Sequence, residues 1–291
     1  MNIRITMPRL ITPKTYKIYI GGKFVRSESG KYYKLSTGDS EQINICRSSP
    51  KDIKNAVQQA RNAFGNWSGR SGYNRGQILY RIAETMEGRS SQFIRTLKLQ
   101  GCTTIKAEQE VERSIDNIIY YAGWCDKYQQ IYSTVNPVEG PYFNYSIPEP
   151  TGVVGIIPPL EYGLSALTGI IAPVILGGNT MIAVASEKYP LTAIELAEVL
   201  NSSDVPSGVV NIMTGYNNEL IKTISTHLDV NAMVFADIDQ QKISSIKKNA
   251  SSNIKRISVW NHVNWNNDSV RSPYKVMDLQ EVKTVWQPDL V

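Results

Sequence analysis

The second half of the chain alternates short apolar runs with longer segments of helical periodicity, and this constrains the fold more than any other feature. Five runs predict strands, at 153–157, 180–184, 209–213, 232–235 and 255–259, and the four segments between them predict helices, at 164–176, 190–200, 219–225 and 240–249. Strands and helices that alternate over short loops form right-handed βαβ units. A parallel sheet is therefore expected, with its ligands at the carboxyl ends of the strands.

The first half of the chain predicts a hairpin followed by helices. Residues 17–25 carry the two-residue turn Gly21-Gly22 between apolar residues. Ser49 can cap a helix, Pro50 suits the first helical position, and Asp52 lies in the first turn. Apolar stripes then predict a succession of helices through 53–64, 78–86, 93–97 and 111–125.

Composition indicates a folded protein and excludes several functional classes. The chain has 291 residues, of which 42% are hydrophobic and 20% charged. Its net charge of +5 is milder than the basic stripe of a typical nucleic-acid binder. No apolar run approaches the roughly 20 residues that a membrane span needs, and no apolar leader is evident. Neither nucleic acid nor a membrane is expected as a partner.

The cysteines and histidines show no spacing typical of a metal site. Cys46, Cys102 and Cys125 are odd in number, which favours a reduced, cytoplasmic setting. Cys125 continues an apolar helical stripe and is predicted to be a core thiol. His227 and His262 lie far apart in sequence without a third ligand nearby, so no metal is expected.

Two segments predict strands outside the parallel sheet. Prolines alternate with tyrosine and phenylalanine over residues 136–152, which indicates an extended segment that leaves the body. Residues 281–286 alternate polar and apolar side chains, as a half-exposed strand or an interface strand would. Between the sheet and that last strand, residues 261–272 are polar and without periodicity, so a loop is predicted there.

The end of the first parallel strand lacks a phosphate-binding motif. Neither Gly-x-Gly-x-x-Gly nor a Walker loop follows it, and Pro158 and Pro159 have no N–H to offer a phosphate. Glu161 and Glu187 each follow a strand of the same sheet and could form an acid–base pair. The alternative is that Glu161 is solvated near a helix start, where its charge suits the helix dipole.

Several stretches together resemble the NAD(P)-dependent aldehyde dehydrogenases, in that family's order and spacing. The resemblance covers about residues 15–260 and lies in Gly-Val-Val-Gly-Ile-Ile (152–157), Ala-Pro-Val-Ile-Leu-Gly-Gly-Asn-Thr (172–180), Ser-Glu-Lys-Tyr-Pro-Leu-Thr-Ala (186–193), Pro-Ser-Gly-Val-Val-Asn-Ile-Met-Thr-Gly (206–215), His-Leu-Asp-Val (227–230) and Asn-Ile-Lys-Arg-Ile-Ser (253–258). The implied fold is α/β, with a Rossmann-type open parallel sheet, an N-terminal helical part and an oligomerisation strand element.

The resemblance implies one structural unit built from four segments. They are a hairpin and helical part of the cofactor-type domain (1–135), an oligomerisation strand segment (136–150), the Rossmann-like βαβ sheet (151–260), and a loop with a C-terminal oligomerisation strand (261–291). The last strand contains Glu-Val-Lys-Thr-Val, which is similar to the family's C-terminal oligomerisation strand.

At the positions that the family uses for chemistry, this sequence carries other residues. Glu161 stands where the resemblance places an oxyanion-hole asparagine, and a carboxylate there would repel a developing oxyanion. Trp260 stands at the position of the general base. The nucleophilic cysteine should follow a few tens of residues later, but no cysteine follows Trp260. The resemblance therefore implies a chain that lacks the catalytic Cys, Glu and Asn.

The resemblance also implies weakened cofactor binding. The family segment Lys-Pro-Ser-Glu, which contacts the cofactor ribose, corresponds here to residues 184–187, where the lysine is absent and the glutamate is present. Asp237 lies in the loop that meets the pyrophosphate and would place an anion beside it. Glu187, Ser186 and Gly215 are the candidate vestigial cofactor contacts. No cofactor is expected, and NAD would bind only weakly.

The arrangement resembles the degenerate second half of the two-domain aldehyde dehydrogenases called family 16, with the catalytic domain missing. A non-catalytic pseudoenzyme or oligomerisation module is expected, which forms a homodimer or pairs with an active aldehyde dehydrogenase domain through strands 142–148 and 281–286. One alternative is a fragment or subunit of an NAD(P)-dependent aldehyde dehydrogenase, an oxidoreductase whose catalytic domain is supplied elsewhere. Another is a sensor of a nucleotide or small metabolite.

Overall fold

The computed structural model describes residues 13–37, 42–261 and 264–288. The strands in these ranges are β1 (Thr15–Tyr16), β2 (Ile18–Ile20), β3 (Lys23–Val25), β4 (Tyr32–Ser36), β5 (Gln42–Cys46), β6 (Thr134–Asn136), β7 (Tyr142–Pro150), β8 (Val153–Ile157), β9 (Thr180–Val184), β10 (Val210–Met213), β11 (Ala232–Ala236), β12 (Arg256–Trp260) and β13 (Gln280–Pro288). The α-helices are α1 (Pro50–Ser68), α2 (Gly72–Gly88), α3 (Ser90–Leu99), α4 (Thr104–Ala122), α5 (Tyr128–Tyr132), α6 (Ser165–Leu176), α7 (Pro190–Ser202), α8 (Asn217–Thr226), α9 (Gln240–Ala250) and α10 (Tyr274–Met277). No helix within the described ranges is long and apolar enough to cross a lipid bilayer.

The central sheet has seven strands in the order β12-β11-β8-β9-β10-β2-β3. β8 to β12 pair in parallel, which confirms the predicted α/β architecture. The predicted hairpin is also present as β2–β3. It adds to the edge of β10 in the antiparallel direction, with Tyr19 opposite Ile212, so the sheet is mixed. The strand order reverses between β8 and β11, which makes their carboxyl ends the expected ligand crevice.

Side chains of the parallel strands point alternately into two layers of core, as the pleat of a strand requires. One set packs with α1, α8 and α9 and comprises Val153, Ile157, Ile182, Val184, Met213, Met233 and Phe235. The other set joins the cluster of α2, α3, α4, α6 and α7 and comprises Val154, Ile156, Met181, Ala183, Val210, Ile212 and Val234. The sheet is therefore covered by helices on both faces.

The predicted start of α1 is confirmed as a capping box. The backbone N–H of Asp52 donates to Ser49 Oγ at 3.3 Å, and the backbone N–H of Ser49 donates to Asp52 Oδ2 at 2.7 Å. Pro50 is the first residue of the helix. The Asp52 carboxylate also accepts from Ser27 Oγ at 2.7 Å. The cap thus fastens the segment after the hairpin to the helical body.

Helix α6 is buried on all sides. Every one of its 12 residues is buried, so it has no polar face to turn toward solvent. Its N-terminus is capped from α4, because Glu110 Oε1 accepts the backbone N–H groups of Leu164 and Ser165 at 2.6 and 3.2 Å. A helix of this kind requires a packed neighbour along its whole circumference.

Part of that cover comes from the segment 264–279, which includes most of the loop predicted at 261–272. Trp265 and Val270 are 0% and 1% exposed, so the segment contributes to the core although most of its residues are polar. A Cβ built at Gly169 in α6 would lie 3.1 Å from the Trp265 ring, which shows how closely the ring approaches the helix. Residues 262 and 263 of the predicted loop lie outside the described residues, as does His262.

Polar contacts hold this segment against α4. Arg271 donates to Asp116 Oδ2 at 3.0 Å and to Asn117 Oδ1 at 3.2 Å. The backbone N–H of Ser272 donates to Tyr121 Oη at 3.3 Å. Arg113 forms an ion pair with Asp268 at 2.6 Å. Regularly spaced contacts with one helix fix the path of a segment that has little secondary structure of its own.

The segment leads directly into β13, which is the predicted C-terminal strand and forms a three-stranded antiparallel sheet in the order β13-β7-β6. β13 pairs with β7 along its full length, from Gln280 opposite Pro150 to Pro288 opposite Tyr142. Both predicted outlying strands are therefore present, and they pair with each other. A third sheet, β1-β5-β4, was not predicted from the sequence.

One sequence-based orientation is wrong. The helical pattern over residues 190–200 predicts that Glu195 points outward, together with Glu198. In the structure the Glu195 side chain is only 5% exposed, whereas Glu198 forms an ion pair with Arg89 at 3.2 Å. The physical reason is that α3 packs against the outer side of α7 and covers it.

Replacing Trp265 with alanine should destabilise the protein by about 3–5 kcal/mol, because the change opens a cavity against α6. Trp265→Phe should cost less, since it keeps most of the ring volume and removes an indole N–H that has no partner in the described ranges. Tyr73→Ala is the matched control, since Tyr73 is 70% exposed, and it should change stability by less than about 0.5 kcal/mol. Urea unfolding measures all three variants, and a Trp265→Ala protein as stable as the control would contradict this packing.

Candidate functional site

The crevice expected at the reversal of strand order is present but small. It has a volume of about 190 Å³ and lies where the chain leaves β8 and β11. Pro158 and Pro159 form one wall, and Asp237, Ile238 and Asp239 form the other. This wall therefore carries acidic side chains beside a proline pair that has no N–H to donate.

Glu187 and Ser186, which were predicted as vestigial cofactor contacts, have partners within the chain. Glu187 Oε1 accepts the backbone N–H of Asn217 at 2.7 Å, at the first residue of α8. Ser186 is buried and donates its hydroxyl to the Leu160 carbonyl at 2.7 Å. Gly215 has a φ of +153° and lies against the backbone of Ser48. Their role as cofactor contacts stays a prediction.

The two candidate acid–base carboxylates contact different groups. Glu161 is solvent-exposed and forms an ion pair with Lys188 at 2.6 Å, and its carboxylate raises the pKa of that lysine. Glu187 is committed to the start of α8. The geometry thus favours the alternative in which Glu161 is a solvated surface carboxylate.

The N-terminus of α9, beside the crevice, is already occupied by a carboxylate. Asp239 Oδ1 accepts the backbone N–H of Lys242 at 2.8 Å, and its side chain lies 3.6 Å from Lys242 Nζ. Asp237 precedes it with a φ of +50°, a left-handed conformation that aspartate adopts more readily than most residues. A phosphate that approached this helix would meet two aspartates.

Each of the four helices that connect consecutive parallel strands has its N-terminus occupied by a side-chain oxygen of this chain. Side-chain oxygens of the chain accept N–H groups in or beside their first turns, and the acceptors are Glu110 for α6, Gln100 for α7, Glu187 for α8 and Asp239 for α9. Helix N-termini are the standard anion sites of such sheets. Here the chain itself supplies the acceptors, and three of the four are carboxylates.

A second cavity, which the sequence did not indicate, adjoins the crevice between α8 and α9. Its volume is about 480 Å³, and it shares Ile221 and Lys242 with the crevice. Lys222, Lys242 and Lys248 line it together with the apolar Ile221 and Ile246. An apolar floor with lysines around it could hold a planar ring that carries negative charge. Because these lysines belong to two separate helices, their spacing in the sequence did not indicate that they line one cavity.

Trp260, which stands at the predicted position of a general base, is buried and donates a hydrogen bond. Its indole Nε1 donates to Asp278 Oδ2 at 3.0 Å, and its side chain is 8% exposed. The Nζ of Lys275 lies 4.7 Å from the ring centres of both Trp260 and Trp265. Burial lowers the pKa of Lys275 to about 8, and the Asp278 carboxylate acts in the opposite direction. The site has aromatic faces and an amine, but no carboxylate base at position 260.

Burial raises the pKa of two of the cysteine thiols. Cys125 is buried, as predicted, and burial raises its pKa to about 12. Burial also raises the pKa of Cys102, which is half-buried. Cys46 is buried in β5. Within the described ranges no three His, Cys, Asp or Glu side chains are grouped so that they could hold a metal ion.

Comparison with known proteins assigns the family. A sequence model described as "Aldehyde dehydrogenase family" matches residues 24–260. The chain belongs to the aldehyde dehydrogenase family. The match ends at Trp260, the last residue of β12. Both β13 and the segment 264–279, which covers α6, therefore lie beyond the matched residues.

Relatives and solved structures are similar to this chain over part of their length. Mouse cytosolic 10-formyltetrahydrofolate dehydrogenase is 32% identical over 86% of the chain and 29% of its own length. Omega-crystallin of Enteroctopus dofleini is 33% identical over 84% of the chain and 50% of its own length. A Bacillus cereus aldehyde dehydrogenase in complex with NAD⁺ superposes with a TM-score of 0.79 and 26% identity, over 85% of the chain and 51% of that structure. The chain spans about half or less of the length of the relatives it matches.

The Lys275 amine predicts a specific pH dependence of stability. Its pKa is about 8 in the folded protein and 10.5 for an ordinary lysine, so the unfolded chain binds more protons between these values. Stability should therefore rise with pH from about 8 to about 10.5. In Lys275→Met the rise should be smaller, whereas the exposed control Lys283→Met should keep it. Urea unfolding across this pH range measures the slopes, and a slope unchanged by Lys275→Met would show that the amine is solvated.

Proposed function

We propose that this chain is a non-catalytic member of the aldehyde dehydrogenase family, a pseudoenzyme that serves as an assembly module. The observation that carries the proposal is the path of residues 264–279. They lie on α4 and α6, insert Trp265 beside Gly169, and continue directly into β13. In this proposal the segment links the cofactor-type domain to the assembly strand in place of a catalytic domain.

The residues at the positions of the family's chemistry support the absence of catalysis. Glu161 is a carboxylate where an oxyanion needs a donor. Trp260 donates its N–H to Asp278 and offers no base. Cys125 is the last cysteine of the sequence and is held in the core, where burial opposes thiolate formation. We infer that the catalytic Cys, Glu and Asn are all absent.

The helix N-termini support weak or absent dinucleotide binding. Glu187 and Asp239 satisfy N–H groups at the starts of α8 and α9, which are the positions where a phosphate would gain most. Asp237 adds a further negative charge to the same crevice. A bound pyrophosphate would have to displace these carboxylates or lie against them.

The exposed strand β13 supports an assembly role. In the order β13-β7-β6 it is an edge, and within the described ranges no strand pairs with its outer side. Val282 and Trp286 are 66% and 58% exposed on one face of it. Edge strands with exposed apolar side chains are normally blunted or covered. The proposed occupant is a second copy of this chain or an active aldehyde dehydrogenase domain.

The assignment to the degenerate second domain of family 16 enzymes is part of this proposal. It is supported by the residues at the crevice and by the short connection between Trp260 and β13.

A second candidate is that the chain is a fragment or subunit of a working NAD(P)-dependent enzyme. The observation in its favour is that the chain spans only 29% of the length of one relative and 50% of another. The cavity between α8 and α9, with its lysines, would then hold the cofactor's ring system. The two candidates differ in whether NAD binds.

Calorimetric titration with NAD and NADP should give no saturable heat at millimolar ligand, because the chain's own carboxylates occupy the phosphate positions. An active aldehyde dehydrogenase titrated under the same conditions is the positive control. One-site saturation by either dinucleotide would favour the fragment or subunit instead.

The purified chain should be larger than a monomer in sedimentation or light scattering, or should form a complex with an active family member. The double variant Val282→Lys, Trp286→Lys should abolish this association, since it places charge on the exposed face of β13. Tyr73→Lys, on the exposed surface of α2, is the matched control and should leave it intact. A wild-type chain that is monomeric and forms no complex with an active aldehyde dehydrogenase at any concentration tested would contradict the assembly role.

A further inference from the structure

Glu195 in α7 is a buried carboxylate without a hydrogen-bond partner. It is 5% exposed, and neither of its oxygens accepts a hydrogen bond from any residue in the described part of the chain. Burial raises its pKa, and the nearby Thr96 and Gln92 side chains offset part of that effect without reaching hydrogen-bond geometry. An unpaired buried carboxylate destabilises a fold. Packing alone therefore does not explain a glutamate at this position.

Glu195 lines a cavity between α3 and α7, which we call the α3–α7 groove. The cavity has a volume of about 460 Å³, within the range of small-molecule sites. Its walls include the apolar side chains of Tyr16, Leu99, Leu191 and Ile194. Helix α7 lies on the sheet face opposite to α8 and α9, so the groove is separate from the crevice.

Two cationic side chains also line the groove. Arg95 is exposed and forms no ion pair with any residue of the described ranges, and Lys14 Nζ lies 4.3 Å from the ring centre of Tyr16. Glu198 lines the groove as well, but its carboxylate is already paired with Arg89. The groove thus combines one buried, unpaired anion with more exposed cations and apolar walls.

We propose that the α3–α7 groove binds a small zwitterion with an ammonium group at one end and a carboxylate at the other, of the ω-amino acid class. Both Glu195 oxygens are shielded from solvent when the groove is empty, so the side chain turns toward the groove on binding. There the ligand ammonium group donates to the carboxylate and supplies the charge partner that it lacks. The methylene chain lies against Leu99, Leu191 and Ile194. The ligand carboxylate faces Arg95 and Lys14.

Other ligand classes fit the groove less well. A neutral apolar ligand would leave Glu195 unpaired, and a simple anion would lie against it. A metal ion needs several ligands, and no group of three candidate side chains occurs in the described ranges. A simple amine would satisfy Glu195 but would bring its uncharged end to Arg95.

Three probes with six carbon atoms each test the proposal on the intact chain: ε-aminocaproate, hexylamine and hexanoate. Binding is measured by calorimetry and by chemical-shift changes. We expect ε-aminocaproate to bind most tightly, hexylamine about tenfold more weakly and hexanoate most weakly of all. Equal binding of hexanoate and ε-aminocaproate, or no binding of any probe, would overturn the proposal.

Glu195→Gln keeps the side-chain volume and removes the negative charge. It should weaken ε-aminocaproate binding at least about tenfold, whereas Glu198→Gln, which alters a carboxylate already paired with Arg89, should change it less than about twofold. Affinity that is unchanged in Glu195→Gln would overturn the proposal even if the ligand binds.

A stability measurement distinguishes a binding carboxylate from a structural one. Without ligand, Glu195→Met should raise the melting temperature by about 2–4 °C, because the variant no longer buries an unpaired acid. Saturating ε-aminocaproate should stabilise the wild type and leave Glu195→Met unchanged. A lower melting temperature in Glu195→Met would show that the acid is held by Gln92 and Thr96, and would contradict the proposal.

Discussion

The close packing of Trp265 against Gly169 is the contact on which the rest of the arrangement depends. Helix α6 has no polar face. Without neighbours packed around it, the helix would expose a large apolar surface to solvent. α4 covers one side, and Trp265 covers another. Because glycine has no side chain, the indole can lie directly on the helix backbone. The segment that supplies the indole then determines where β13 begins.

This contact links the helical body to the exposed three-stranded sheet. Val276 and Leu279 are buried, so the chain enters β13 from an anchored position rather than from a free loop. Nine consecutive residues of β13 then pair with β7. The body and the exposed sheet therefore share one continuous set of packing and hydrogen-bonding contacts, and the proposed assembly surface is presented in a fixed orientation.

Periodicity in the sequence predicted the parts of the fold that are governed by local pattern. The alternation after residue 153 was sufficient for the parallel sheet, and Ser49 with Pro50 was sufficient for the start of α1. It failed where a distant segment decides the outcome. Trp265 lies in a polar stretch, and only its contact with α6 makes it a core residue. Glu195 follows a helical pattern that suggests exposure, but α3 covers it.

The candidate site was predicted in outline and not in its contacts. The alternation of strands and helices predicted ligands at the carboxyl ends of the parallel strands, and Pro158 excluded a phosphate cradle at the end of the first of them. Which N–H group Glu187 accepts depends on the approach of α8, which no spacing in the sequence encodes. The convergence of lysines from α8 and α9 likewise requires two helices to be placed side by side. The sequence shows which chemical groups stand at each position, whereas the contacts between distant elements depend on the packing of the whole domain.

Residues 264–288 are an integral part of the folded body and not an appended tail. Native-state hydrogen exchange measures this directly, because it gives the opening free energy of each amide. The β13 amides that bond to β7 should exchange only through an opening that also exposes β8 and β9, with the same dependence on denaturant. If β13 and the segment around Trp265 open at a much lower free energy, independently of the central sheet, the claim is wrong.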